Sequence, residues 1–169
     1  GMVMAAQPNS PVARLVVNDV GPAIEPAALA RIGGYVGADP LCATFAEIDA
    51  YVRAISPFGP LTPAQWEHMT RSCVRQRSDG RWGFAYDPGI AVPFRASAAP
   101  ADLWGLWDAI ACPTLVLRGA DSDLFTAATA RQMTARGPRP RLLEFAGVGH
   151  APALLAADQV APVVEFLRG

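Results

Sequence analysis

Three runs of branched apolar residues punctuate the chain: ARLVVND at 13–19, PTLVLRG at 113–119 and RLLEFAG at 141–147. Each closes on a turn signal, and their nearly continuous apolar character predicts strands buried on both faces of a parallel sheet. Between the last two, TAATARQMTARGP (126–138) predicts a helix capped by Thr126 and stopped by Gly137 and Pro138. The C-terminal DQVAPVVEFLRG predicts a second helix, with Asp158 as N-cap and an apolar stripe through Val160, Val163, Val164 and Leu167. Strand, helix, strand, helix in this order implies right-handed parallel crossovers.

The middle of the chain shows no comparable strand. ATFAEIDAYVRAI predicts one helix, and LTPAQWEHMTRSCVRQ a second that opens with a capping box, Thr62 to Gln65, and Pro63 in its first turn. SDGRWGFAYDPGIAVPFRASAAP (78–100) is rich in Gly and Pro and reads as irregular, and DLWGLWDAI (102–110) as a short helix returning to the strand at 114. The expected organisation is a core built from residues 1–24 and 101–169, interrupted by a mainly helical insert at 25–100.

Composition narrows the classes of function. Hydrophobic residues make up 51% of the 169 and charged residues 17%, which is a globular balance. With 14 basic against 15 acidic residues there is no positive field to hold nucleic acid or an anionic membrane. Every basic side chain is Arg, which removes lysine Schiff-base chemistry and any phosphate loop that needs Lys. Cys42, Cys73 and Cys112 are odd in number and lack C-x-x-C spacing. They suggest neither a disulfide framework nor a zinc site, and read as buried thiols of a reducing cytoplasm. MVMAA lacks the length and basic start of a signal peptide, and no apolar run is long enough to span a bilayer. No metal or organic cofactor is expected.

Candidate chemistry lies in two loops that leave the carboxyl ends of strands, where open parallel sheets gather functional groups. GADSDLF carries Asp121 and Asp123 after the second strand, and GVGHAP carries His150 after the third. Adjacent parallel strands lie about 4.8 Å apart, so such loops can bring a carboxylate to an imidazole. That contact fixes the ring tautomer and leaves the other nitrogen free to accept a proton. The bland alternatives are a structural histidine in a glycine turn and aspartates that only shape their loop. His68 lies on the capped helix of the insert, without a second ligand at metal spacing.

LVVNDVGP, CPTLVLRGADSDL and GVGHAPAL together resemble the C-terminal part of a bacterial α/β-hydrolase of the esterase and carbon–carbon-hydrolase type. The likeness runs over essentially the whole chain, with the helical insert as the family's cap. It implies a truncated α/β-hydrolase fold: a short parallel sheet flanked by helices, carrying a mainly helical cap and acting on a small-molecule substrate. By the same resemblance His150 matches the catalytic histidine, and Asp123 its orienting acid, with Asp121 as alternate. Asp19 is a third candidate because some relatives carry the acid there, although NDVGP reads first as a strand-ending turn. The family's nucleophile motif, G-x-S-x-G, occurs nowhere in the chain, and none of its serines has the glycine flanks of an elbow. The expectation is therefore an acid and a base without nucleophile or oxyanion hole, inactive alone. The chain would be either part of a working hydrolase or a non-catalytic binding or interaction module. Without an inner neighbour, the strand at 13–18 would expose an apolar edge, which predicts a homo-oligomer formed through it.

Overall fold

A computed structural model describes residues 1–92 and 102–169; the part of the expected irregular stretch at 93–100, and the expected boundary at residue 101, lie outside them. Helix α1 (Met2–Ala5) precedes strand β1 (Leu15–Asn18). Helices α2 (Pro26–Gly33), α3 (Phe45–Ile55) and α4 (Pro63–Cys73) follow, then strands β2 (Val74–Gln76) and β3 (Trp82–Phe84) and a 3-10 turn at Pro88–Ala91. The chain continues through α5 (Trp104–Asp108), β4 (Thr114–Gly119), α6 (Ala127–Ala135), β5 (Arg141–Phe145) and α7 (Ala157–Arg168).

β1, β4 and β5 form a parallel sheet in the order β1-β4-β5, with Leu15 opposite Thr114 and Leu115 opposite Arg141. All three lie on the apolar runs, but only the middle one is buried along its whole length. β5 leaves Arg141 and Glu144 exposed, and β1 alternates between buried and half-buried. Burial on both faces, expected of each run, holds only for β4, the middle strand of the three. β4 even carries a charge inward. Arg118 donates to the Phe125 and Ala120 carbonyls at 2.8 and 3.1 Å and to Glu144 on β5 at 2.7 Å. Those partners make a buried guanidinium tolerable.

Under the sheet, Leu15, Val17, Val116, Phe125, Met133 and Trp107 form one apolar core. Ile48, Val52, Val74 and Phe84 form a second, in the insert. A third small cluster, Ala28, Ile32 and Leu124, joins α2 to the loop that follows β4.

Side-chain caps open three of the seven helices named above. Thr62 and Gln65 form the expected capping box of α4, and Thr126 accepts from the Thr129 N–H at the start of α6. A second capping box, Thr44 with Glu47, opens α3. Two expectations are corrected. The middle of the chain, expected to hold no comparable strand and to be irregular from residue 78, pairs β2 and β3 antiparallel around the turn at Ser78–Gly80. On α7, Asp158 lies in the first turn and Ala156 is the N-cap, with no side-chain cap bond. Its stripe does not face a core either: Val160, Val164 and Leu167 are exposed, while Gln159 is turned inward to accept the Leu154 N–H. A polar side chain with a backbone partner inside fixes the rotation of the helix against its own hydrophobic pattern.

Trp107 is fully buried, and its indole N–H reaches the Met133 and Arg136 carbonyls at 3.3 and 3.2 Å. Trp107→Ala should therefore destabilise the chain by roughly 3–5 kcal/mol, read as a lowered midpoint in urea unfolding; a change under about 1 kcal/mol would contradict this packing.

Candidate active site

The site begins where β1 ends. Asp19 follows the last residue of the strand, keeps the ladder by donating its N–H to the Leu117 carbonyl at 2.8 Å, and turns with φ of 54°. Its side chain is completely buried. A carboxylate in that position needs a partner for each oxygen. Oδ1 accepts the Gly119 N–H at 2.8 Å, and Oδ2 faces His150 Nδ1 at 2.8 Å. A carboxylate can only accept, so Nδ1 carries the proton and Nε2 holds the free lone pair. The His150 side chain keeps 26% of its surface exposed, toward a cleft of about 380 Å³.

Glycines make this meeting possible. The loop after β5 crosses the end of the middle strand to reach β1. A Cβ on Gly119 would stand 2.3 Å from the Gly149 carbonyl oxygen and 2.4 Å from that of Val148. Any side chain there would push the histidine loop away. Gly149 in turn passes against Pro57, donating its N–H to the Pro57 carbonyl at 2.7 Å.

Four further bonds hold the loop. Asp121 N–H donates to the Val148 carbonyl at 2.9 Å, Asn18 Nδ2 to Pro152 at 3.0 Å, and Gln65 Nε2 to Leu155 at 2.8 Å. The fourth is the Gln159 contact to Leu154. Pro57 follows α3 and Gln65 lies on α4, so the segment between β1 and β4 grips the histidine loop directly.

The expected pairing of His150 with Asp123, or with Asp121, is not the one that forms. Asp19 occupies Nδ1. Asp123 turns instead to Arg31 on α2, accepting from Nε at 2.6 Å and Nη2 at 2.8 Å. The expectation assumed that loops leaving neighbouring strands meet. Here the loop from β5 spans β4 and reaches the strand beyond it. The guanidinium bond, reinforced by its charge and by the field of His150, holds the Asp123 carboxyl below its usual range against the opposing effect of partial burial. Asp121 and Asp123 nevertheless line the same cleft as His150, together with Arg31, Ser56 and Pro57. Ser56 caps α3 in ordinary extended backbone, φ −114° and ψ 103°, without the strain of an elbow.

Sequence reading passed over Arg31, Asn18, and the bond from Gln65 to the histidine loop. Asp19 carried one usable signal, an acid that continues an apolar strand and must therefore be buried with partners. His68 is exposed on α4, and among the described residues no three His, Cys, Asp or Glu side chains gather as metal ligands. The three cysteines are free and half-buried, not fully buried as expected. Among the described residues no helix is long and apolar enough to cross a membrane.

No family model matches the chain. The 3-hydroxybutyrate-oligomer hydrolase of Cupriavidus necator is 43% identical over 179 residues, taking in 100% of this chain and 61% of that protein. An α/β hydrolase from Novosphingobium aromaticivorans superimposes with a TM-score of 0.87 at 35% identity, over 99% of this chain and 60% of its own. A hydrolase candidate from Rickettsia typhi gives 0.91 at 27% identity, over 99% and 58%. The chain thus spans about three fifths of the length of each.

Because Asp123 is an acid held ionised by Arg31, its folded value lies below its ordinary 3.8. The stabilisation from this pair is complete above the unfolded value and is lost as pH falls through the folded one. A carboxyl ¹³C titration should place the Asp123 midpoint below 3.8 and move it upward in Arg31→Gln; an unmoved midpoint would refute the assigned cause.

Proposed function

We propose, for a chain that is part of an α/β-hydrolase fold, that His150 and Asp19 are the base and orienting acid of a serine-type ester hydrolase. The observation that carries this reading is the 2.8 Å contact of His150 Nδ1 with a fully buried carboxylate, beside an open cleft. In this mechanism Nε2 takes the proton of a serine hydroxyl as its oxygen attacks the ester carbonyl. Asp19 stabilises the imidazolium, which then protonates the departing alcohol oxygen. A water molecule repeats the sequence: it gives its proton to Nε2, its oxygen attacks the acyl-enzyme, and the serine leaves with the proton returned. The serine and the oxyanion-hole donors belong to the part of the fold that these 169 residues do not include. The name of the Cupriavidus relative favours oligoesters of a short hydroxy acid as substrates.

The absence of G-x-S-x-G from the chain favours a second reading, a non-catalytic homologue that binds small molecules or another protein. The coding sequence upstream of Met2 discriminates: an in-frame G-x-S-x-G supports the hydrolase, and a nearby stop codon the module. In the extended protein, turnover of p-nitrophenyl butyrate should fall about 10⁴-fold in Asp19→Asn and at least as far in His150→Ala, while Asp123→Asn stays within a few-fold of wild type. The reverse order of the two aspartates would overturn the assignment. The isolated chain should show no His150-dependent turnover.

The free thiols suit a reducing compartment such as the cytoplasm. For the 169 residues by themselves, self-association is proposed on the strength of the edge at β1, which among the described residues has a strand on one side only. Leu15 and Asp19 donate inward to β4, so the groups of Val16 and Asn18 alternate outward. Sedimentation should give a dimer or larger, reduced toward monomer by Val16→Lys; a monodisperse wild-type monomer would sink this proposal.

A further inference from the structure

Among the described residues, the cleft beside His150 carries one permanent cation, Arg31, in a wall that also carries Asp121 and Asp123. Its guanidinium engages both oxygens of Asp123 through Nε and Nη2, the two-pronged geometry in which arginine takes any carboxylate. Asp123 is free for this because Asp19 already serves His150. Arg31 and Asp123 keep 39% and 49% of their side-chain surface exposed. An ion pair so open to water is weak and can be exchanged without disturbing the core.

We infer that Arg31 reads a free carboxylate on the substrate, and that Asp123 is the internal stand-in for that group. The inference rests on the hydrolase reading above and adds a substrate class to it: short esters that end in a carboxylate. Such a molecule would anchor its acid on Arg31 and lay its ester bond along the cleft toward His150. The negative charge of Asp121 on the same wall weakens the hold on any anion that does not engage Arg31. An anion is held only where it displaces Asp123 from the guanidinium, and an uncharged ester gains nothing from Arg31. Arg31 is in this sense a specificity residue, joined to the core through α2 and the Ala28–Ile32–Leu124 cluster.

The test needs no turnover. The 169-residue chain is titrated with 3-hydroxybutyrate and with its methyl ester, and binding is followed by the NMR shifts of the His150 ring. The acid should bind about tenfold or more tightly than the ester, and Arg31→Gln should abolish that difference while Arg31→Lys restores part of it. Asp123→Asn removes both a competitor and a charge, and should tighten binding of the acid several-fold more than Asp121→Asn, which removes only a charge. Equal binding of acid and ester, no binding of the acid, undiminished binding in Arg31→Gln, or equal gains from the two aspartate variants would each overturn the inference. Any of these leaves the roles of Asp19 and His150 to be judged by the ester assay, and failure of that assay leaves the carboxylate result standing.

Discussion

The structure of the site depends on how one buried carboxylate is satisfied. Asp19 has no access to solvent, and an ionised carboxylate in that position is tolerable only with a strong partner on each oxygen. The Gly119 N–H and the imidazole of His150 fill the two places. Leaving a buried polar group without its partner costs about 1–3 kcal/mol, and more when the group is charged. The ends of β1 and β4 and the loop after β5 are therefore tied at one point. Gly119 serves this arrangement twice, as the donor to Asp19 and as the bare backbone over which the histidine loop passes.

The segment between β1 and β4 is joined to the same point. Pro57 and Gln65 hold the backbone on either side of His150, and Arg31 binds the loop that carries Asp121 and Asp123. The cleft lies where these contacts meet, with walls from α2, from the loop after α3 and from the loops after β4 and β5. The α/β-hydrolase fold is shared with the Novosphingobium structure over 99% of the chain.

Much of the architecture was legible in the residues. The three apolar runs became the three strands of the sheet, and the Thr62–Gln65 and Thr126 signals became helix starts, because capping and strand propensity are settled within a few residues. His150 was legible as the base candidate from its glycine turn at the end of a strand. The hairpin of β2 and β3 was not, since each strand is three residues long and owes its pairing to the insert core. The rotation of α7 was misread for a similar reason, the inward bond of Gln159 outweighing a stripe of valines.

The choice among Asp19, Asp121 and Asp123 belonged wholly to the tertiary structure. By itself the sequence determined which segments are strands and helices, that the sheet is parallel, and that a histidine and several acids leave its carboxyl end. Those are local facts of periodicity, capping and composition. Which acid meets the histidine is decided by a crossing of loops between residues 131 positions apart, and by a glycine that lets one backbone lie on another. No local pattern encodes that crossing, because it depends on the space left when distant segments pack.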